Sequence, residues 1–233
     1  MAELLETWAV IVAAGSGTRL GADVPKAFVG LGGRALLARA VELFEEHDAI
    51  DRMVVVVPAG WEEPATLLAD QLVAGKVAAA VTGGATRAES VALGLAELPP
   101  DADVVLVHDA ARPLATAALV DRVLAALLEA DGAVPGVPPA DTIKRVENGV
   151  VAETLDRSSL TAVQTPQAFR GGAIRRAYDR PPGQLAAATD CASLLEAAGL
   201  TVAVVEGERR NIKVTEREDL AYAQWLLELD EPA

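Results

Sequence analysis

Short runs of apolar, mostly β-branched residues recur along this chain at 9–13, 53–57, 77–81, 104–107, 133–137 and 202–205. Each run is nearly unbroken by polar positions. A strand with one wet face alternates, whereas a Val-rich run without alternation suits a strand covered on both faces, as in a parallel sheet. The stretches between them carry apolar residues at helical spacing. Leu119, Val120, Val123, Leu124, Leu127 and Leu128 form one stripe, with Asp121, Arg122 and Glu129 off it and Thr116 placed to cap the helix. Thr215-Glu216-Arg217-Glu218 reads as a capping box that opens a last helix running through Leu229. Strand and helix in alternation predict right-handed crossovers and a three-layer α/β sandwich with a mostly parallel sheet. At 233 residues, one domain spanning 1–233 accommodates this pattern.

One stretch breaks the rhythm. Pro135, Pro138 and Pro139 precede Thr142-Ile143-Lys144-Arg145-Val146, then Glu147-Asn148-Gly149, then Val150-Val151-Ala152-Glu153-Thr154. Asn-Gly between two β-prone runs predicts a hairpin, leaving the sheet as an arm over about 138–160. An isolated hairpin is marginal in water, so this one is expected to pack on a second subunit or on its own domain.

Composition narrows the partners. An apolar fraction of 52% supports a packed core, and a net charge of −14 excludes a general nucleic-acid binder, which needs a basic footprint. No apolar stretch is long enough to span a bilayer. The acidic N-terminus lacks the basic region of a secretory signal. Cys191 is the only cysteine, which excludes an intrachain disulfide and fits a reducing, cytoplasmic setting. It reads as a small packed hydrophobe rather than a nucleophile. An acidic protein that handles a polyanion must gather its cations locally, so the four lysines, Lys26, Lys76, Lys144 and Lys213, carry weight.

The first run ends in Ala13-Ala14-Gly15-Ser16-Gly17-Thr18-Arg19, followed by Pro25-Lys26. Glycines let several backbone N–H groups converge on an anion, and Arg19 and Lys26 add full charges, so a nucleoside triphosphate is the natural guest. The alternative is an ordinary strand-to-helix turn. It is not a dinucleotide fingerprint, because Leu20 holds the third glycine position and no acidic residue closes the second strand. Nor is it a Walker loop, because Lys26 precedes Ala27 rather than Ser or Thr.

Ligands of open parallel sheets collect beyond the carboxyl ends of the strands. That edge receives the glycine loop, then Thr82-Gly83-Gly84-Ala85-Thr86-Arg87-Ala88-Glu89-Ser90, then His108-Asp109-Ala110-Ala111-Arg112-Pro113, then Arg209-Arg210-Asn211-Ile212-Lys213. Asp109 is the candidate ligand for Mg²⁺, with a helix cap as the alternative. His108 suits a structural role. Arg112 either contacts phosphate or pairs with Asp109. Lys26 and Lys213 approach one edge from opposite ends of the chain, as stabilisation of a phosphoryl transition state would require.

These segments, together with Asp141-Thr142-Ile143-Lys144, Asp156-Arg157, Gln164-Thr165-Pro166-Gln167, Thr189-Asp190 and Asn211-Ile212-Lys213-Val214-Thr215, resemble the 2-C-methyl-D-erythritol 4-phosphate cytidylyltransferases. These belong to the nucleotidyltransferases that carry the Gly-Ser-Gly-Thr-Arg signature. The resemblance spans essentially the whole chain. It implies a Rossmann-like nucleotidyltransferase sandwich with a protruding β-hairpin arm. It also implies transfer of CMP from CTP to methylerythritol phosphate with release of pyrophosphate and a divalent cation such as Mg²⁺.

By that resemblance Arg19 and Lys26 bind the triphosphate, and Lys26 and Lys213 stabilise charge at the α-phosphate. Asp109 lies at the metal. CTP is held by Ala13, Ala14, Gly15, Gly17, Gly84, Ala85, Ser90, Asp109 and Ala110. The acceptor is held by Thr142, Arg157, Thr165, Thr189 and Lys213, with the 138–160 arm crossing to a partner in a homodimer.

Two positions depart from the family pattern: Ala85 stands where many relatives carry an acidic residue, and Leu160-Thr161 replaces an often aromatic stretch. The chain ends soon after the predicted last helix, so no fused second enzyme is expected. Two alternatives remain at this point: a cytidylyltransferase for another polyol phosphate such as ribitol 5-phosphate, and a catalytically silent nucleotide-binding module.

Overall fold

The computed structural model describes residues 5–15 and 17–229. The N-terminal residues 1–4, which open the acidic segment, and Ser16 of the glycine loop lie outside them. The chain begins with strand β1 (Thr7–Val12), then β2 (Gly30–Leu31) and β3 (Arg34–Ala35), and helix α1 (Leu36–Glu45). There follow β4 (Arg52–Val57), α2 (Glu62–Gln71), β5 (Val77–Thr82), α3 (Arg87–Ala96), β6 (Val104–Asp109), α4 (Ala117–Ala126) and β7 (Gly132–Val137). The arm supplies β8 (Lys144–Glu147) and β9 (Val150–Thr154), after which come β10 (Ala162–Val163) and β11 (Gln167–Arg170). Helices α5 (Gly171–Tyr178), α6 (Pro182–Ala186) and α7 (Cys191–Ala197), strand β12 (Val202–Glu206) and helix α8 (Arg217–Glu228) complete it.

All six apolar runs are strands of one sheet, and β5, β4, β1 and β6 lie side by side in parallel. Strand β7 pairs in parallel with β12. Between β6 and β7 runs β11, antiparallel to both, and β10 pairs antiparallel with β7. Successive residues of β1 face opposite layers: Ala9 and Ile11 pack with Phe44 of α1 and Val120 and Val123 of α4. Trp8 and Val10 pack with Val91 of α3, Ile174 of α5 and Leu195 of α7. Strands β1, β4, β6 and β7 are dry on both faces, which is why their runs do not alternate, whereas β5 and β12 are only partly covered. Each Val or Leu fully buried there contributes about 1.5–3 kcal/mol relative to exposure.

Strand β1 sits between β4 and β6, so the chain order reverses at β1. The crevice at such a switch point is where an open α/β sheet takes its ligand.

The hairpin forms as the Asn-Gly turn predicts, with positive φ at Asn148 (50°) and Gly149 (79°). Strands β8 and β9 pair with each other as a separate two-stranded sheet, and every residue of both is exposed.

One local expectation is corrected. The capping box of the last helix starts at Glu216, not Thr215. The Asp219 carboxylate accepts from the backbone N–H of both Thr215 and Glu216, at 2.7 and 2.9 Å, while the Thr215 hydroxyl turns back to the carbonyl of Lys213.

Candidate active site

The register of β1 against β6 sets Val12 opposite Asp109, so the glycine loop and the one carboxylate leave the sheet together. The backbone N–H of Ala110 donates to Val12 O at 3.0 Å and that of Ala13 to Val56 O at 2.7 Å, tying the loop bases to the sheet. The fourth segment reaches the same edge because Val214 N donates to Ala111 O at 2.8 Å. Buried Asn211 holds Thr165 O at 2.9 Å.

A cavity of about 360 Å³ opens here. Ala13, Ala14 and Gly15 line one side, and Gly84, Ala85 and Ser90 another. Asp109, Ala110, Lys26 and Lys213 close it. The two cation-bearing segments therefore meet, as their positions in the sequence suggested.

Glycine is required in the lining loops at Gly17, Gly83 and Gly84, the last because a Cβ would run into Glu89. Gly17 has φ of +62° and a side chain there would run into Lys26. Gly83 lies so close to Ala14 and Ser90 that no Cβ fits. The Ser90 hydroxyl is occupied within the loop, accepting from Gly84 N at 3.1 Å and donating to Thr86 O at 2.9 Å. The turn is fixed further by the Thr86–Glu89 capping box of α3.

Lys26 and Lys213 are the two lysines of this edge. Lys76 instead donates to His47 O at the end of α1, and Lys144 to Thr154 on the arm. Burial, and then the neighbouring Lys213 charge, hold the Lys26 ammonium below its usual proton affinity, with Arg19 adding to the effect. An anion between these cations would relieve the repulsion. Arg19 itself is exposed on the short helical turn over Thr18–Leu20, outside the cavity lining. Gly17 is likewise outside the lining, where it seats Lys26.

Asp109 is the centre of the charge arrangement. Its Oδ1 accepts from Arg87 Nε at 2.8 Å and its Oδ2 from Lys213 Nζ at 2.6 Å. Burial alone would favour the neutral acid, but the two cations hold this carboxyl well below the usual range. Arg87 was not anticipated as its partner. Arg112, one of the two options read from the sequence, donates to Asn211 O at 2.7 Å and Val163 O at 3.3 Å instead.

Fully buried His108 lies behind Asp109. Its Nε2 faces the Arg112 carbonyl at 3.2 Å, an acceptor only, so Nε2 carries the proton and Nδ1 accepts from the Thr165 hydroxyl at 3.1 Å. Thr165 Oγ1 in turn accepts from Asp109 N at 3.0 Å. Burial pushes the imidazole down to about 4, so it stays neutral. This chain of bonds fixes the backbone on which the Asp109 carboxylate rides.

A second cavity, of about 490 Å³, adjoins the first. Thr165, Gln167, Thr189, Asp190 and Glu196 are among its lining residues. Arg87, Asp109 and Lys213 line both cavities and form the wall between them. The Thr165 hydroxyl is engaged with His108 and Asp109, whereas Thr189 is exposed to this space. Thr142 and Arg157 are not in either lining. They lie exposed on the arm, with Arg157 donating to Ala140 O at 2.8 Å. Cys191 is buried under this wall and burial pushes its thiol up, consistent with packing rather than reactivity.

Comparison with known proteins agrees with this architecture. The family model of 2-C-methyl-D-erythritol 4-phosphate cytidylyltransferase matches residues 7–229. The enzyme of that name from Syntrophotalea carbinolica is 43% identical over 96% of this chain and 97% of its own length. A protein of Rhizorhabdus wittichii named bifunctional enzyme IspD/IspF is 45% identical over 93% of this chain, which spans only 55% of that longer protein. The crystal structure of 4-diphosphocytidyl-2C-methyl-D-erythritol synthase from Anaerococcus prevotii superposes with a TM-score of 0.84 at 30% identity, covering 97% of this chain and 100% of the other. The chain belongs to the 2-C-methyl-D-erythritol 4-phosphate cytidylyltransferase family.

Proposed function

We propose that this chain transfers the cytidylyl group of CTP to 2-C-methyl-D-erythritol 4-phosphate. A phosphate oxygen of the acceptor attacks the α-phosphorus of CTP, the bond to the β-phosphate oxygen breaks, and pyrophosphate leaves. The observation that carries the reading is the shared wall. Two adjoining cavities meet at Arg87, Asp109 and Lys213, and Lys26 lines the first together with Lys213. CTP occupies the first cavity, its base against Gly84, Ala85 and Ser90 and its triphosphate along Ala13 to Gly17, Arg19 and Lys26. The acceptor occupies the second, with Thr165 and Thr189 at its wall and Lys213 at its phosphate. Lys26 and Lys213 then stabilise the charge that develops on the α-phosphate oxygens, the dominant contribution in such transfers.

A divalent cation fits this donor set. Each oxygen of Asp109 accepts one hydrogen bond and keeps a lone pair, and Mg²⁺ needs only one or two carboxylates beside substrate phosphates and water. Among the described residues no group of three His, Cys, Asp or Glu surrounds one point, so Asp109 alone would hold it from the protein side. When bound it would neutralise triphosphate charge.

The arm over 138–160 is read as the dimer contact, supplying Thr142 and Arg157 to the partner's acceptor cavity. Supporting this, Val146, Val150 and Val151 stand more than half exposed on a hairpin that, among the described residues, pairs with no other strand. The reducing cytoplasm suits a chain whose one cysteine is a buried free thiol, and among the described residues no helix is long and apolar enough to cross a membrane. Pyrophosphate release from CTP with a panel of polyol phosphates tests the assignment. Turnover with methylerythritol phosphate and none with ribitol 5-phosphate is expected, and the reverse preference would overturn it.

A further inference from the structure

Helix α8 follows Lys213 by four residues, and its first residue reaches back to the other end of the chain. Arg217 Nε donates to Leu20 O at 3.1 Å and Arg217 Nη2 to Gly21 O at 3.3 Å. Leu20 closes the short helical turn that carries Arg19, and its amide donates to Gly17 O at 2.9 Å. Gly21 has φ of +63°, and a Cβ there would stand 3.1 Å from Arg217 Nη2, so the guanidinium sits directly on the turn.

The Leu20 side chain is buried with Val214 and with Ala223 of α8. On the other side of the helix start, Val214 N is tied through Ala111 O to the segment that follows β6. One helix end therefore touches both segments that bring cations to the first cavity.

We infer that Arg217 is a positioning residue for CTP. It joins the Lys213 segment to the Gly17–Gly21 turn and so sets where Arg19 and Lys26 meet the triphosphate. It touches no substrate itself, being absent from both cavity linings. The inference rests on the reading of the glycine loop as the triphosphate cradle, and the controls separate the two.

The experiment compares Arg217→Ala, Arg217→Lys and Arg19→Ala with the unaltered enzyme, measuring the KM of each substrate, thermal melting, and amide hydrogen exchange over residues 17–22. Loss of two charge-assisted hydrogen bonds at a partly exposed site should raise the KM for CTP about fivefold in Arg217→Ala. The acceptor KM should stay within about twofold, and exchange over 17–22 should accelerate while β1 is unchanged. Arg217→Lys, with one point donor, should fall between, and gives the reading should the alanine variant fold poorly. An unchanged CTP KM, or equal shifts for both substrates, overturns the inference. If Arg19→Ala leaves the CTP KM unchanged, the cradle reading fails instead, and the exchange of 17–22 still decides whether Arg217 holds the turn.

Discussion

At the sheet edge, Asp109 has a side chain only 9% exposed and is gripped from two sides by Arg87 and Lys213. On the arm, the Arg145–Glu153 pair leaves both side chains more than half exposed. The two regions both carry charge, but in one the partners cannot leave without stranding a buried ion, and in the other water replaces either partner at little cost. The charges of the edge are fixed against one another within one chain. The arm's candidate residues, Thr142 and Arg157, stand apart from both cavities, and what they do depends on where the arm docks.

Substitutions at the edge should separate chemistry from stability, whereas substitutions on the arm should affect binding alone. The largest effect is expected from Lys26→Ala, which should lower kcat on the order of a thousandfold while shifting the melting temperature little. Near-normal turnover would remove the electrostatic role. Asp109→Asn should differ in kind, costing about 3 kcal/mol in denaturant unfolding because Arg87 and Lys213 lose their buried counter-ion. An unchanged midpoint would mean the wall is held by something else.

The His108 network predicts a pH signature that the exposed arm cannot share. With its imidazole held at about 4 in the fold against an ordinary 6.5, the unfolded chain binds the extra proton between those values. Stability should therefore be full above about pH 6.5 and fall as pH drops towards 4, by about 3 kcal/mol in all. Unfolding midpoints measured across that range, with His108→Gln as the flattened control, check the slope. The smallest effect belongs to the arm: Arg157→Ala should raise the acceptor KM roughly tenfold, leaving the CTP KM and melting unchanged. Equal changes in both KM values would break the contrast between the regions.

The main sheet was legible because its central strands, dry on both faces, leave uninterrupted Val-rich runs, and the hairpin because Asn-Gly tolerates positive φ twice in succession. Strand β11 was not, since four residues, Gln167-Ala168-Phe169-Arg170, slotted antiparallel between β6 and β7 have no run to betray them. Lys26 and Lys213 were legible as residues beyond strand ends at one edge, and Asp109 as the carboxylate at the end of β6 there. The Arg87–Asp109 bond was not, because it joins the start of α3 to the end of β6 and exists only through the sheet order. Of the two roles open to Arg112, pairing with Asp109 is not realised, because its guanidinium reaches backbone carbonyls brought in from residues 163 and 211. The capping box shifted by one residue because a carboxylate at 219 can satisfy two successive amides, which the hydroxyl of Thr215 could not.

The meeting of Lys26 and Lys213 on one phosphate is tested most directly by a crystal structure with a non-hydrolysable CTP analogue. Both ammonium groups should lie within hydrogen-bond distance of α-phosphate oxygens, with the base against Gly84 and Ala85. An analogue bound with either lysine turned to another part of the molecule would contradict the account.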